Sequence, residues 1–335
     1  MKTEKKWKIG DNLQLLPEIP DKSVDLVIFD PPYYKVDDAA WDNQWKSFEE
    51  YLNWIEAIGI QLKRVLRNNG SLYLFGDDRN IAYIQVRYDK HFSFLNHLVW
   101  YKRNNQSIKG AANGRRYVCV SERILFYGLQ DSTGLSEIHD SSECFRPIKD
   151  YMLMEVNKLK ERMGFRTKEK LNQYLNELTN TASVVSRHYF CDSQWVFPTK
   201  EIYAKLQTTG FFPIPWNELR QEYEAMRRPF NYHHGMYEVF DIPIINNNEN
   251  TDHNTTKPLK LIERLVKNSS KEGDSILDPC LGSGTTLEAC MRTNRNCMGI
   301  EISHDWEELY RKRLKKDIVK LDAYVSDSEQ SPSPL

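Results

Sequence analysis

The sequence lacks the usual features of membrane, secreted and metal-binding proteins. No apolar run approaches the roughly 20 residues that a membrane-spanning helix needs, and Met1 to Lys6 lead into no signal-peptide core. The six cysteines contain no Cys-x-x-Cys pair, and the eight histidines show no ligand spacing. This pattern argues against a disulfide framework and a metal site, and it predicts free thiols in a cytoplasmic protein that has no membrane partner.

An excess of one charge is also absent. The chain has 46 Lys and Arg against 47 Asp and Glu, a net charge of −1, which excludes a polycationic nucleic-acid coat. Basic surface on one face is still compatible with this balance. The 335 residues, 40% of them apolar, suffice for a sizeable core and exceed one average domain. We therefore expect either one large fold with an insertion or two domains.

Apolar runs and helical spacing alternate at both ends of the chain. Short apolar runs predict strands at 25–30, 71–75, 97–101, 123–127, 275–278 and 297–301. Apolar residues at helical spacing predict helices at 48–67, 258–266, 285–291 and 306–321. Such alternation is typical of an α/β fold with a parallel sheet.

The middle of the chain is polar and helical, with few strand-like runs. We therefore predict one α/β domain built from residues 1–128 and 246–322, interrupted by a mainly helical module at 129–245. The final residues, 323–335, are rich in serine, proline and acidic side chains and are predicted to be disordered.

The motif Asp30-Pro31-Pro32-Tyr33 ends an apolar strand. Open α/β sheets bind ligands beyond the carboxyl ends of their strands, so we expect this motif in the binding crevice. A carboxylate and a rigid proline carbonyl can each accept one N–H of a planar amine, while the aromatic face stacks on its ring. A rigid turn with an incidental aspartate is the alternative interpretation.

The segment from Asp278 to Thr286 joins a strand to a helix and contains Gly282 and Gly284. Glycines at this junction let a ligand approach the backbone and the free N–H groups that begin the helix. Glu301 ends the next strand and is the expected acceptor for ribose hydroxyls. No lysine follows Gly284, which disfavours a phosphate-binding loop, and an ordinary tight turn is the alternative.

Together the two motifs resemble those of the S-adenosylmethionine-dependent amino-methyltransferases of DNA. Asp30 comes first in the chain and Gly282 last, an order similar to that of the β-class N6-adenine DNA methyltransferases. Residues 9–25 resemble the opening segment of that class. Residues 253–258 resemble its His-Pro-Thr-Gln-Lys-Pro segment, with Asn254 and Thr256 at the Pro and Gln positions. The resemblance covers about residues 8–128 and 252–316.

The resemblance implies a Rossmann-like methyltransferase sheet, S-adenosyl-L-methionine as cofactor and double-stranded DNA as substrate. The implied reaction moves a methyl group to the N6 amine of an adenine that is flipped out of the duplex. The catalytic residues are then Asp30, Pro31, Pro32 and Tyr33. The cofactor-binding residues are Asp11, Asp30, His253, Thr256, Lys257, Asp278, Cys280, Gly282, Ser283, Gly284, Thr285 and Glu301.

Basic residues in two stretches are predicted to contact DNA. One stretch is a loop rich in glycine and asparagine after the strand at 97–101. The other contains two short helices, 167–178 and 182–189, whose tight connection is typical of a helix-turn-helix. The predicted DNA-binding residues are Lys102, Arg103, Lys109, Arg115, Arg116, Lys168, Ser186, Arg187 and His188. The alternatives are a solvated loop and a helical cap that only completes the cleft.

Other activities are compatible with the same motifs. An N4-cytosine methyltransferase uses the same chemistry, usually with serine in place of Asp30, and a protein-glutamine enzyme typically has asparagine there. An RNA methyltransferase and a catalytically silent helix-turn-helix DNA-binding protein are further alternatives. The resemblance also allows a bacterial or phage-encoded restriction-modification system, with a cognate restriction endonuclease as partner, and a homodimer.

Overall fold

The computed structural model describes residues 3–36, 42–102, 117, 119–129, 145–181, 185, 188–191, 195–231, 236–244 and 256–315. The chain divides into two compact units, one formed by Met1–Leu135 with Arg228–Leu335 and the other by Ser136–Arg227. The first contains a β-sheet and is called the sheet unit. The second has only helices among its described secondary-structure elements and is called the helical unit.

Eight strands in the described residues form one sheet. They are β1 (Lys5–Ile9), β2 (Val24–Phe29), β3 (Leu66–Gly76), β4 (Ser93–Tyr101), β5 (Ser121–Gly128), β6 (Val239–Asp241), β7 (Ser275–Asp278) and β8 (Asn296–Glu301). Their order across the sheet is β1-β8-β7-β2-β3-β5-β4-β6. The six predicted strands are confirmed, and β7 has its predicted bounds. The sequence did not predict β1, which alternates lysine with apolar residues, or the three-residue edge strand β6.

Helices occur in both units of the described chain. They are α1 (Asn12–Leu15), α2 (Phe48–Val65), α3 (Ile81–Tyr88), α4 (Arg146–Arg162), α5 (Lys168–Thr179), α6 (Lys200–Gln207), α7 (Trp216–Met226), α8 (Leu259–Ser269) and α9 (Thr285–Arg292). Residues 307–315 are also helical, while the rest of the helix predicted at 306–321 lies outside the described residues. The predicted helices at 48–67, 258–266 and 285–291 are confirmed as α2, α8 and α9.

Strand β5 runs opposite to all the other strands. It is antiparallel to both of its neighbours, β3 and β4, whereas every other ladder is parallel. The sheet is therefore mixed and not wholly parallel as predicted. Lys102 N donates to Val120 O at 2.8 Å, which extends the β4–β5 pairing in the manner of a hairpin instead of a crossover. This reversal places the first residues of β5 beside the end of β3, where Gly76 pairs with Arg123.

Apolar side chains cover both faces of the sheet. Along β2, Val27 and Phe29 belong to the core that includes residues of α2 and α3. Leu26 and Ile28 belong to the core that includes residues of α8 and α9. Successive side chains of a strand point to opposite faces, so a strand that is buried on both faces is apolar throughout. This double burial explains why β2 is a continuous apolar run in the sequence.

The helical unit has a core of its own, to which Met152, Leu175 and Phe212 contribute. Thr167 caps α5 by accepting a hydrogen bond from Lys170 N. Thr199 caps α6 in the same way.

The predicted helix-turn-helix lies only partly within the described residues. Helix α5 ends at Thr179, because the C-cap residue Asn180 has a left-handed φ of 55°. Val185 and His188 are helical, but residues 182–184, 186 and 187 lie outside the described residues. The helix-turn-helix therefore stays a prediction.

The chain returns to the sheet unit before residue 246, the start predicted for the second part of the α/β domain. Phe230 stacks on Phe126 with ring centroids 5.7 Å apart, and Trp100 Nε1 donates to Ile242 O at 2.7 Å. Strand β6 pairs with β4 between these two contacts. The predicted tail at 323–335 lies outside the described residues.

No helix among the described residues is both long and apolar enough to cross a bilayer. Within the same residues no cluster of three or more potential metal ligands occurs. Free thiols among the described residues include Cys119, Cys280, Cys290 and Cys297.

Candidate active site

The two sequence motifs lie at the point where the strand order of the sheet reverses. Strand β2 leads through α2 to β3 on one side, β7 leads through α9 to β8 on the other, and β2 and β7 are direct neighbours. Loops that follow two such strands diverge and leave a crevice, which is the usual ligand site of open α/β sheets. Asp30 follows β2 directly, and Pro279 follows β7 directly.

The Asp30 carboxylate has a partner on each oxygen. Its Oδ2 lies 2.6 Å from Lys257 Nζ, and its Oδ1 accepts a hydrogen bond from the Tyr33 hydroxyl at 3.0 Å. The Lys257 ammonium also lies over the Tyr33 ring, 5.4 Å from its centroid. The backbone N of Tyr33 donates to Asp42 Oδ1 at 2.8 Å. The loop after β2 is therefore held by both its side chains and its backbone.

A second carboxylate, Glu122 on β5, belongs to the same cluster. Its Oε2 lies 3.4 Å from Lys257 Nζ and 3.4 Å from Tyr33 Oη, while its Oε1 forms an ion pair with Lys102. Glu122 reaches the carboxyl edge of β3 because β5 is reversed. The sequence alone did not assign Glu122 to the site, although a carboxylate at the start of an apolar strand is a signal of a possible functional residue.

Burial and charge together set the ionisation of this cluster. Burial raises the pKa of the Asp30 carboxyl, the Lys257 ammonium opposes that rise, and Glu122 adds to it. Burial also disfavours the Glu122 carboxylate, but Lys257 and Lys102 outweigh this effect and lower its pKa. The Lys257 ammonium is penalised by burial, yet the two carboxylates outweigh that penalty and raise its pKa. Lys257 is therefore charged at neutral pH.

The loop after β7 requires glycine at two positions. Gly282 has a φ of 52° and Gly284 a φ of 77°, which residues with a Cβ rarely adopt. A Cβ on Gly284 would lie 2.6 Å from Tyr310 Cδ1. The Tyr310 hydroxyl donates to Gly282 O at 2.7 Å. The predicted glycine turn is thus fixed by packing, and it leaves no room for a side chain at Gly284.

Glu301 ends β8 and is oriented by backbone N–H groups. Its Oε2 accepts from Gly282 N at 2.8 Å, and its Oε1 accepts from Ser303 N at 3.1 Å. Burial raises the pKa of Glu301, and these hydrogen bonds oppose the rise. A carboxylate has about four acceptor sites, so these two hydrogen bonds do not use the full acceptor capacity of Glu301. The next residue, Ile302, exposes 67% of its surface. The sequence alone did not indicate Ile302 as a candidate site residue.

Asp278 is buried and braces the glycine-rich loop. Its Oδ1 accepts from Cys280 N at 3.0 Å and its Oδ2 from Thr286 Oγ1 at 2.6 Å. Burial raises the pKa of Asp278 to about 7 against the effect of these hydrogen bonds. From the other side of the loop, Asn12 Nδ2 donates to Pro279 O at 3.3 Å.

Other predicted cofactor residues have structural contacts at the same edge of the sheet. Asp11 caps α1 by accepting from Leu13 N at 2.7 Å. Thr285 Oγ1 donates to Lys257 O at 3.3 Å, and Ser283 Oγ lies 3.2 Å from Thr285 Oγ1. These contacts tie the segment that contains Lys257 to the start of α9.

Several predicted site residues lie outside the described residues, namely Arg103, Lys109, Arg115, Arg116, Ser186, Arg187 and His253. Among the described ones, Lys102 is paired with Glu122, and its ammonium lies 5.2 Å from a ring centroid of Trp100. Thr256 directly precedes Lys257. Lys168 is exposed in the first turn of α5, and His188 is half-buried in the helical unit.

Comparison with known protein sequences identifies the family. The DNA methylase family of N6 and N4 methyltransferases matches residues 24–312 of this chain. The chain is 24% identical over 307 residues to the DNA adenine methyltransferase YhdJ of Escherichia coli (strain K12), covering 91% of this chain and 81% of that protein.

Solved structures share the fold of the chain. A DNA modification methylase of Thermus thermophilus, TTHA0409 in complex with S-adenosyl-L-methionine, has a TM-score of 0.51 and 20% identity over 94% of each chain. The cytosine-N4-specific PvuII DNA methyltransferase has a TM-score of 0.53 and 14% identity over 98% of this chain and 95% of the other.

The sheet with its glycine-rich loop and strand-end carboxylate is that of a Rossmann-like, S-adenosylmethionine-dependent methyltransferase. Within that class, the chain belongs to the N6/N4 DNA methylase family. It is therefore a DNA methyltransferase, and its cofactor is S-adenosyl-L-methionine. The family, fold class and cofactor that the sequence predicted are confirmed.

Proposed function

We propose that this enzyme methylates the N6 amine of adenine in double-stranded DNA, at a specific sequence. The observation that carries the proposal is Asp30 at the carboxyl end of β2, followed by Pro31 at the edge where the strand order reverses. A carboxylate next to a rigid carbonyl provides two acceptors for the two N–H bonds of one amine. The adenine specificity of YhdJ is in accord with this assignment.

The chemistry required of Asp30 follows from the nature of the substrate. An exocyclic adenine amine is a weak nucleophile because its lone pair is delocalised into the ring. Hydrogen bonds from its two N–H groups to the Asp30 carboxylate and the Pro31 carbonyl draw the nitrogen toward tetrahedral geometry. The carboxylate also stabilises the positive charge that develops on that nitrogen. The methylated amine is acidic and loses its proton readily, so no strong general base is required.

The chain supplies cofactor binding and orientation. When bound, S-adenosylmethionine provides the methyl group and a sulfonium leaving group. We assign Glu301 to the ribose hydroxyls, and Ile302 and Asp11 to the adenine. The methionine part of the cofactor is assigned to the segment around Lys257 and to the loop after β7. The residues proposed to bind the cofactor are Asp11, Asp30, His253, Thr256, Lys257, Asp278, Cys280, Gly282, Ser283, Gly284, Thr285 and Glu301.

The target base must leave the duplex to reach this crevice. Extrusion costs a few kcal/mol, and the flipped base regains part of this by stacking in the pocket. We assign the stacking surface to Tyr33, whose hydroxyl is already fixed on Asp30. Pro32 keeps the loop rigid between these two residues.

Recognition of the DNA sequence is assigned to the inserted module, predicted at 129–245, and to the loop that follows β4. The support for this assignment is the number of basic residues in both stretches of the sequence. The residues proposed to contact DNA are Lys102, Arg103, Lys109, Arg115, Arg116, Lys168, Ser186, Arg187 and His188. A homodimer and a cognate restriction endonuclease are proposed as further partners. The proposed location is the cytoplasm of a bacterium or of a phage-infected cell.

N4-cytosine methylation is the second candidate. The likeness in fold to the PvuII enzyme favours it, since that enzyme is cytosine-N4-specific. Asp30, in place of the serine that is usual in such enzymes, favours adenine.

Mass spectrometry of enzymatically digested DNA separates these activities. Unmethylated DNA is incubated with the enzyme and S-adenosylmethionine and then hydrolysed to nucleosides. We expect N6-methyl-2′-deoxyadenosine as the only methylated nucleoside. N4-methylcytosine would establish the second candidate, and no methylated nucleoside from varied DNA would reject both. Mapping the methylated positions across a genome then gives the recognition sequence.

A further inference from the structure

Lys257 lies between two carboxylates of the active site. Its Nζ is 2.6 Å from Asp30 Oδ2 and 3.4 Å from Glu122 Oε2. The lysine side chain is only 8% exposed, so water does not compete strongly for the ammonium. A single cation therefore has two alternative anionic partners, of which it contacts Asp30 more closely.

Lys102 completes the cluster on the far side of Glu122. It forms an ion pair with Glu122 Oε1, while Lys257 approaches Oε2. Two carboxylates and two ammonium groups make the cluster neutral. A movement of the Lys257 ammonium from one carboxylate to the other leaves that total unchanged, so it needs no ion from solvent.

The contact between Lys257 and Asp30 conflicts with the proposed role of Asp30. The amine of the target base needs an acceptor on the Asp30 carboxylate, where Tyr33 already uses one acceptor site on Oδ1 and Lys257 one on Oδ2. A close ammonium also neutralises the negative charge that would stabilise the developing positive charge on the amine. The ammonium must therefore leave Oδ2 before the carboxylate can act fully on the amine.

We propose that Glu122 is a positioning residue that accepts the Lys257 ammonium from Asp30 when the target amine enters the site. The inference rests on the proposed function, because it takes the amine as the incoming group. Glu122 itself touches neither substrate nor cofactor in this scheme. It acts through Lys257 and thereby determines how free the Asp30 carboxylate is.

The geometry suits Glu122 to this role. Its Oε2 lies close enough for the ammonium to reach it by rotation of the flexible lysine side chain. Its carboxylate is anchored on strand β5 and by Lys102, so it stays in place while Lys257 moves. No covalent bond forms or breaks and no proton is transferred in this step.

The first test is the variant Glu122→Gln, which keeps the shape of the side chain and removes its charge. Lys257 then has Asp30 as its only carboxylate partner in the cluster and stays on it. We expect kcat for methyl transfer to fall about ten- to a hundredfold, as misplacement of catalytic groups commonly causes. The Kd for S-adenosylmethionine, measured by calorimetry, should change less than about twofold.

The pH profile of kcat distinguishes this role from a merely structural one. Glu122 raises the pKa of Asp30, so Glu122→Gln should shift the acid limb of the pH profile to lower pH. Lys257 lowers the same pKa, so Lys257→Met should shift the acid limb to higher pH. Loss of packing alone predicts no such opposite shifts. The charged or titratable groups that interact with Asp30 are Lys257, Glu122, Tyr33, Tyr51, Asp278 and Cys280.

A double variant provides the sharpest test. If Glu122→Gln is slow because the ammonium is held on Asp30, removing that ammonium frees the carboxylate again. Because Lys257 is also assigned to the cofactor, kcat is measured at saturating S-adenosylmethionine, and the double variant Glu122→Gln/Lys257→Met should have a kcat at pH 8 at least about fivefold above that of Glu122→Gln alone. Equal or lower activity of the double variant would overturn the proposal, as would an unchanged kcat in Glu122→Gln.

Glu56→Gln is the matched control. Glu56 on α2 is 17% exposed, against 13% for Glu122, and also pairs with two cations, Arg87 and Lys90. The Glu56→Gln variant should have the same kcat as the wild type and the same acid limb in its pH profile. If the wild-type enzyme methylates no DNA amine, the proposed function itself is wrong. If the wild type is active and Glu122→Gln is equally active, only the role of Glu122 is wrong.

Discussion

Lys257 and Asp30 are 227 positions apart in the chain, yet Lys257 Nζ and Asp30 Oδ2 are separated by 2.6 Å. The lysine precedes α8 and the aspartate follows β2, so residues from the two ends of the chain form one ion pair in the active site. Both members are largely buried, which makes the charge of each depend on the other. The ion pair therefore links the segment assigned to the cofactor with the residue assigned to the substrate amine.

Replacing Asp30 should separate catalysis from cofactor binding. We expect Asp30→Ala to lower the rate of methyl transfer at least about 10³-fold, because the acceptor and the stabilising charge are both lost. Lys257 keeps Glu122 as a partner, so the fold should survive, and the other residues assigned to the cofactor should retain most of its binding. Transfer of a labelled methyl group to DNA and calorimetric titration with S-adenosylmethionine measure the two effects. Near-normal turnover in this variant would refute the assignment of Asp30.

Adding a methyl group at Gly284 should destabilise the sheet unit. In Gly284→Ala, a residue with a Cβ must adopt a φ of 77°, and that Cβ lies 2.6 Å from Tyr310 Cδ1. We therefore expect a loss of about 2–4 kcal/mol in the free energy of unfolding. Gly273→Ala is the control, since its φ is 85° but no atom lies within 4 Å of the new Cβ. That variant should lose only about 1 kcal/mol. Urea unfolding gives both values, and equal losses would contradict the steric part of the argument.

The buried Asp278 should make stability fall as the pH rises. Its pKa of about 7 in the folded chain lies above the ordinary value of 3.8, so the folded state binds the extra proton between these values. Ionisation on raising the pH then costs folding free energy. Relative to Asp278→Asn, the wild type should lose about 2–3 kcal/mol between pH 5 and pH 8.

Urea unfolding of wild type and Asp278→Asn at the two pH values measures this difference. Asp78→Asn, at an exposed aspartate in the same unit, serves as the reference variant, since it keeps Asp278. A constant gap between wild type and Asp278→Asn at both pH values would mean that Asp278 titrates normally.

The exposed Lys168 tests the DNA-binding role of the helical unit. If its ammonium contacts a phosphate, Lys168→Ala should weaken binding to all DNA sequences about equally. It should also reduce the slope of log K against log salt concentration by about 0.9. Lys63→Ala, at the exposed end of α2, is the control and should leave the slope unchanged. Fluorescence anisotropy at several salt concentrations provides the slopes, and identical slopes would remove Lys168 from the interface.

The sequence predicted the two motifs and their strands because local information determines them. Continuous apolar runs mark β2 and β7, and prolines or glycines end both runs. Glu122 could not be placed in this way, because its position depends on the sheet order, in which β5 and not β4 is the neighbour of β3. The reversed direction of β5 then brings its first residues to the edge where parallel strands end. A single sequence contains no signal for that pairing.

The strand order has a consequence for biosynthesis. Strands β1 and β2 follow each other in the chain, but β8 and β7 lie between them in the sheet. Because the ribosome delivers the N-terminal strands first, β1 has no neighbour to pair with until residues 275–301 have been made. The growing polypeptide therefore cannot form the crevice between β2 and β7. Methylation of DNA must wait until translation has passed the end of β8.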